Sequence, residues 1–439
     1  MASPNHNHTN FQLRLDFIHN LLSGYLDLPP KVLKDTKITP VQYEADFPFK
    51  YNNFVYQVLL PDSEIDDFEI FDETQMTKPG CVAIPKRTIE FILRLSNPDA
   101  EGLHHATRVQ NEVGILNLAS EALGHIKPTV VPRVFGWDVN TGSENPGWIL
   151  QERMPGEPLA NFHGMSFAQK RGILGQIAEL LKGLQEFRLP ESIRGWGGVT
   201  YDDRGVLVSA PMTVVGAGPW SSLQEAFEGR VKEALNKTDN SSQLHGWRSN
   251  GTRERIDRFV KHGLAALTAH LESKNDRSII HGDFTTDNLL YDPKTGRITA
   301  LLDYDFACIQ HPAHEFFCSF TTWDGQLGGW SPDPEAASFQ HAKLTGRFPS
   351  PLPARDGSDI NWEIAEAWEI ELQKLGVKRP SLFQGIDKVA DTEALLGLLL
   401  PWRLTNEDAL RRNPDEEKRK ALRQDGERQL EDILEHVGF

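Results

Sequence analysis

Apolar residues recur along this chain with two different periods, and the change of period divides it. Between residues 50 and 154 the runs are short and rich in Val, Ile, Phe and Tyr: Asn53–Leu60, Thr88–Pro98, then VVPRVFGWDV and GWILQERM. β-Branched and aromatic side chains suit a pleated, half-buried surface, so these four runs predict strands. Among them, HHATRVQNEVGILNLASEAL places Val109, Val113, Leu116 and Leu118 at helical spacing. PGEPL then interrupts the pattern, and longer periods follow. SFAQKRGILGQIAELLKGLQEF carries Ile173, Ile177, Leu180, Leu181 and Leu184 on one helical face. DRFVKHGLAALTAHLESK predicts a second helix. DEEKRKALRQDGERQLEDILEHV predicts a charged third, striped by Leu422, Leu430, Ile433, Leu434 and Val437.

Three other stretches are read by their texture. FQLRLDFIHNLLSGYL is helix-like but isolated, so residues 1–49 are expected as an N-terminal extension. Residues 61–87 are acidic and irregular, as in a long loop or insertion. Residues 185–250 and 319–360 are rich in Gly, Pro, Ser and Trp and predict long structured loops. The expected architecture is α+β and two-lobed: a β-rich N-terminal lobe over 50–154 and a mainly helical C-terminal lobe over 155–439.

Bulk properties narrow the function. At 439 residues the chain is too long for one small core. A net charge of -16 argues against a nucleic-acid groove, which needs clustered Lys and Arg. The longest apolar run, ALLGLLLP, is far short of the ~20 residues of a membrane span. MASPNHNHTN lacks the apolar centre of a signal peptide. The three cysteines form no disulfide framework and no C-x-x-C. These features predict a soluble cytoplasmic protein without nucleic-acid or membrane partners; they leave a protein partner unknown.

The densest chemistry lies in SIIHGDFTTDNLLYDPKTGRITALLDYDFA, residues 278–307. Two apolar runs enclose His281, Asp283, Asp287, Asn288, Asp292, Asp303 and Asp305. Taken singly, a His-Gly-Asp turn and surface aspartates only solvate a loop. The whole order is more specific. Phosphoryl transfer needs a carboxylate to take the proton of the attacking hydroxyl, and hard oxygen ligands for magnesium. Asp283 and Asn288 stand five positions apart, the spacing of base and metal ligand in a kinase-type catalytic loop. Asp303 ends the next apolar run, where a second metal ligand belongs.

HGDFTTDNLLYD followed by ITALLDYDFA resembles the aminoglycoside phosphotransferase and choline kinase family, which has a protein-kinase-like fold, and looks like its fungal branch. The resemblance implies Asp283 as catalytic base, Asn288 and Asp303 as magnesium ligands, and His281 as organiser of the loop. Asp305 is the alternative to Asp303, which is favoured because it follows Leu301-Leu302 and precedes an aromatic. The resemblance extends to ILRLSNP, putting Arg94 at the phosphate-binding cation, and to Glu112 as its ion-pair partner. WILQERMPGEPL resembles the adenine-binding hinge, near Glu152 and Met154. It departs from the family pattern at the phosphates: no Gly-rich loop precedes Asn53. The implied cofactors are ATP and Mg2+, and the implied partner is a small-molecule hydroxyl acceptor, cationic or of amino-alcohol or sugar type.

Other readings are weaker. HPAHEFF holds His311, His314 and Glu315 but not the H-E-x-x-H spacing of a zinc site; Glu315 is expected to hold the helix after the metal-binding strand. There is no G-x-S-x-G elbow, and no A-P-E segment of a protein kinase. Trp323 and Asp324, just after the metal region, are the acceptor-site candidates. A rival of another class is a nucleotide-binding regulatory or scaffold pseudokinase that keeps the fold without turnover.

Overall fold

A computed structural model describes residues 6–44, 47–62, 78–139, 146–354 and 360–439. Most of the acidic insertion expected over 61–87 therefore lies outside the described residues.

The first lobe is built on a five-stranded antiparallel sheet in the order β1-β2-β3-β5-β4. Its strands are β1 (Lys37–Pro40), β2 (Asn53–Leu59), β3 (Glu90–Ser96), β4 (Val134–Asp138) and β5 (Trp148–Glu152). Alternation along each strand assigns the two faces. Phe91, Leu93 and Leu95 of β3, with Val58 and Leu150, pack under Ile18 and Leu22 of helix α1 (Phe11–Tyr25) and Val32 of α2 (Pro30–Asp35). The intervening Ile92 and Arg94 point to the opposite face, which borders the cleft. Helix α3 (Arg108–Ala122) packs on that second side through Val109, Val113 and Leu116.

The described residues of the stretch expected as an N-terminal extension pack on this sheet. They supply edge strand β1, paired to β2 from Lys37↔Leu59 to Pro40↔Tyr56, and two helices that cover the sheet. Their apolar stripe is legible, but a sequence does not say which surface it covers.

The second lobe is mainly helical. After the short β6 (Glu157–Pro158), helix α4 (Phe167–Glu186) runs through the largest core. Ser166 caps it in a box with Gln169, each closing one of the other's backbone N–H groups. Residues 185–250, expected as loops, contain the hairpin β7 (Gly198–Tyr201) and β8 (Leu207–Ala210) and an 18-residue helix, α5 (Leu223–Asn240). The stripe of Leu223, Ala226, Phe227, Val231, Ala234 and Leu235 was there to read, obscured by Gly- and Trp-rich flanks. The single helix expected near 257–274 is two, α6 (Thr252–His262) and α7 (Leu264–Ala269). They meet at Gly263, where a Cβ would come within 2.5 Å of the Phe439 ring.

Strand β9 (Ser278–Ile280) pairs with β12 (Cys308–Gln310). Between them lies the hairpin of β10 (Leu289–Asp292) and β11 (Arg297–Leu301), with β6 on the other edge of β10. Helix α8 (His314–Cys318) follows, then α9 (Pro334–Thr345), again in a segment expected as loop. Asp333 caps α9, and Pro334 occupies its first turn. Helices α10 (Trp362–Leu375), α11 (Ile386–Leu399), α12 (Trp402–Thr405), α13 (Glu407–Arg412) and α14 (Glu416–His436) complete the lobe. The buried stripe of α14 is Leu430, Ile433 and Leu434. No described helix is long and apolar enough to cross a membrane.

Candidate active site

The hairpin explains the spacing of the acidic stretch. Its register pairs Leu289 with Leu301, so the residues just outside the pair, Asn288 and Leu302, also face each other. The Leu302 N–H donates to the Asn288 carbonyl at 2.8 Å. Two apolar strands and a turn thus bring Asn288 beside Asp303, although 15 positions separate them in the chain. Both line the cleft between the lobes.

The loop from His281 to Asn288 is fixed from several directions. Asn288 donates from Nδ2 to the Asp283 carboxylate at 2.8 Å and to the Asp283 carbonyl at 2.9 Å. His281 is fully buried. Its Nδ1 accepts from the Asp283 N–H at 3.2 Å, so Nε2 carries the proton and donates to the Leu302 carbonyl at 2.9 Å. The imidazole thereby bridges the loop to the end of β11. Gly282 turns with φ +83°, and a Cβ there would sit 2.7 Å from the Phe306 carbonyl.

Glu315 is placed differently from the sequence expectation. It is buried beneath the loop rather than serving only its own helix. Its carboxylate accepts from the His281 N–H at 2.6 Å, the Gly282 N–H at 3.0 Å and the Ser319 hydroxyl at 2.6 Å. The Ser319 oxygen accepts in turn from the Phe284 N–H at 2.8 Å. One carboxylate and one hydroxyl therefore tie three backbone amides of the loop, which a sequence cannot reveal without the packing of α8. Asp283 itself is partly buried, and that burial pushes its carboxyl above the ordinary aspartate range.

Behind the cleft wall, two arginines meet three carboxylates. Arg94 approaches Glu112 through Nη1 at 2.9 Å, Asp303 through Nη2 at 2.8 Å and Asp305 at 3.5 Å. Arg108, also buried, lies 3.0 Å from Asp305. Arg108 also donates to the carbonyl of Asn52 and the side-chain oxygen of Asn53, while Asn53 Nδ2 donates to Asp305 at 2.6 Å. Asp305 is thus enclosed by cations and amides, whereas the Asp303 side chain keeps 36% exposure at the cleft. Burial pushes the Asp303 carboxyl up, but Arg94 outweighs it and the net direction is down. Burial drives Glu112 the other way, upward, with Asp305 and Asp303 adding to it and Arg94 opposing.

Among the described residues, Glu112, Asp303 and Asp305 are close enough to share an ion. Arg94 and Arg108 already occupy the space among them. Hard oxygen donors facing the cleft are offered instead by Asp303 and by Asn288, whose Nδ2 is turned to Asp283, leaving its carbonyl oxygen for a ligand. One carboxylate and one amide oxygen suit magnesium, which keeps part of its water shell and takes phosphate oxygens.

The cleft encloses about 500 Å³. At its back, Glu152 ends β5, and its carboxylate forms a two-pronged pair with Arg133 at 2.9 and 2.7 Å. Met154 is buried in the wall, its carbonyl accepting from Arg153. Where a Gly-rich loop was sought, Phe47, Phe49, Lys50, Tyr51 and Asn52 line the cleft. Lys50 holds this segment to the other lobe, its N–H donating to Asp408 at 2.7 Å and its Nζ meeting Glu407 at 3.0 Å, while Glu101 of its own lobe lies 3.1 Å from the same Nζ.

The structure does not bring the two acceptor-site candidates to the loop. Trp323 is fully buried among Phe162, Phe320 and Trp368. Asp324 lines a separate cavity of about 200 Å³ with His163 and Lys170. A cavity of about 550 Å³ instead abuts the His281–Asn288 loop at Gly282, with Phe306 beside it. Sequence reasoning missed it because its walls come from segments far apart in the chain.

With the fold and this geometry in view, the comparisons give the class. A model of the phosphotransferase enzyme family (APH) matches residues 82–349, more than half of the chain, and the chain belongs to that family. Among solved structures, it is similar to aminoglycoside phosphotransferase APH(4)-Ia, at 12% identity over 97% of this chain and 99% of that one, with a TM-score of 0.45. It is also similar to an ethanolamine kinase of Plasmodium vivax, at 13% identity over 94% and 89%, with a TM-score of 0.46. Among curated proteins, it is 37% identical over 54 residues to the acyl-CoA dehydrogenase family member 11 proteins of Pongo abelii and Homo sapiens. That match spans 12% of this chain and 7% of the length of each relative.

Proposed function

We propose that this member of the family transfers the γ-phosphate of ATP, with magnesium, to a hydroxyl of a small molecule. The observation that carries the reading is the position of the His281–Asn288 loop between two cavities. Asn288 and Asp303 line one of them, and Gly282 lines the other. A nucleotide in the cleft and an acceptor in the second cavity would meet at Asp283.

Each residue then has a definite task. Glu152 and Met154 border the adenine end, the backbone there serving the base. Arg94, held by Glu112, keeps its charge at the phosphate end of the cleft. Asn288 and Asp303 would hold magnesium, which would supply positive charge to neutralise the charge developing on the phosphates. Asp283 orients the acceptor hydroxyl and takes its proton as the new O–P bond forms and the bond from the γ-phosphorus to the β–γ bridging oxygen breaks, releasing ADP. Its raised affinity for a proton suits a base. Asn288 keeps the Asp283 carboxylate in one rotamer. His281 and Glu315 hold the loop and do not touch substrate.

The test of the nucleotide half is thermal stabilisation by ATP with and without magnesium, in wild type, Asn288→Ala and Asp303→Asn. Wild type should gain additional stabilisation from the metal, and both variants should lose that increment. Equal stabilisation in all three, with or without magnesium, would remove Asn288 and Asp303 from the metal site.

A further inference from the structure

We infer that the acceptor is an uncharged alcohol with an apolar body, and that the pairing of Glu393 by Arg230 and His314 sets this preference. The inference rests on the phosphotransferase reading above and departs from the cationic or sugar-like acceptor expected from the sequence.

The second cavity, at about 550 Å³, is large enough to bury a small molecule. Much of its wall is apolar: Met212, Val214, Val215, Phe306, Phe317 and Leu396. Its charged groups come from α5, α8 and α11. Glu393 is one of its two carboxylates, and it is saturated. Arg230 meets both of its oxygens, at 2.6 and 2.7 Å, and His314 Nδ1 lies 3.1 Å away. Arg230 and Glu393 are 14% and 10% exposed, so solvent does little to screen the pair. Burial alone would push the Glu393 carboxyl up; Arg230 and His314 hold it well below the usual carboxylate range instead.

Two further charges border the cavity, Glu233 and Lys237, one helical turn apart on α5. The cavity sets two cations, Arg230 and Lys237, against two carboxylates, Glu233 and Glu393. It is balanced inside a chain whose net charge is -16. An ammonium group entering would lose its hydration and find the Glu393 carboxylate already paired by Arg230 and His314. An apolar alcohol would lose little hydration and gain from the walls.

A matched pair of probes tests this: 4-phenylbutan-1-ol and the same alcohol carrying an ammonium group on its chain. Binding to the full chain is read by calorimetry without nucleotide, so the result does not depend on turnover. Wild type should bind the neutral alcohol at least tenfold more tightly. Arg230→Met exposes Glu393 and should shift the ratio at least tenfold toward the ammonium probe. If that variant does not fold, Glu393→Gln serves. It should leave neutral-probe affinity within threefold of wild type, with ammonium binding still weak. Equal or tighter ammonium binding to wild type, lost in Glu393→Gln, would overturn the inference, as would binding of neither probe. Neutral-probe binding without phosphorylation of any alcohol by magnesium-ATP would overturn the phosphotransferase reading while leaving the cavity's preference standing.

Discussion

Asn288 donates from one amide nitrogen to both the carboxylate and the carbonyl of Asp283, at 2.8 and 2.9 Å. The contact joins the proposed base to the proposed metal ligand, so neither moves without the other. Removing the amide should therefore affect two steps. Asn288→Ala should weaken metal-dependent nucleotide binding and lower kcat. Asn288→Asp restores an oxygen ligand but sets two carboxylates against each other, and should recover binding more than kcat. Separate measurements of nucleotide Kd and kcat in the two variants check this.

Glu315 anchors the loop without reaching the cleft. Glu315→Ala removes an acceptor from the amides of His281 and Gly282 and from the Ser319 hydroxyl. The expected loss of stability is about 3 kcal/mol, from buried donors left unpaired. Urea titration should show a lower midpoint. Kinetics on the folded fraction should show kcat falling much more than nucleotide affinity.

Arg108 and Asp305 form a buried pair behind the site. Arg108→Met leaves Asp305 with Asn53 and a distant Arg94 contact, and should destabilise the chain by about 3–5 kcal/mol. Pairing it with Asp305→Asn should recover much of that loss, because no isolated charge remains. A double-mutant cycle in urea measures the coupling. Additive losses would mean that the two side chains do not depend on each other.

His311 gives the stability a pH dependence of defined sign. It is 3% exposed, and burial, opposed by Asp276, pushes it down to about 4. Its Nδ1 accepts from the Ala313 N–H and its Nε2 faces the Ser273 hydroxyl, so the neutral ring is the one built in. Unfolded, a histidine protonates near 6.5. Between these values the unfolded chain binds more protons, so stability falls as pH drops from 6.5 toward 4. The contribution is roughly 3 kcal/mol across that window. His311→Gln should flatten the corresponding part of a Tm-against-pH curve while leaving the limb below pH 4 in place.

How much of this could be read in advance depends on whether the signal is local. The Asp283–Asn288 spacing, the apolar runs before Asp303 and the strand that carries Arg94 are local patterns; Arg94, Asn288 and Asp303 line one cleft, and Asp283 is tied to it through Asn288. Arg108 and Asn53 were missed because each looks like an ordinary surface residue until Asp305 arrives from over 190 positions away. Trp323 was chosen for its proximity in sequence to the metal region; the fold turns its ring into the core, where Phe320 and Trp368 pack on it. Helix α5 carried a legible stripe, but composition around it was weighted above periodicity within it. The cavity beneath Gly282 has no sequence signature, since its walls are gathered from distant segments.

The central claim is that Asp283 acts on a hydroxyl during phosphoryl transfer. Magnesium-dependent ATP consumption, with neutral and amino alcohols offered as acceptors, tests it most directly when wild type is compared with Asp283→Asn. Nucleotide binding is followed in the same samples. The account predicts acceptor-dependent turnover in wild type, falling roughly 10²–10⁴-fold in the variant with nucleotide binding retained. Tight nucleotide binding in both proteins with no turnover in either, across the acceptors offered, would contradict it and favour a nucleotide-sensing role for the fold.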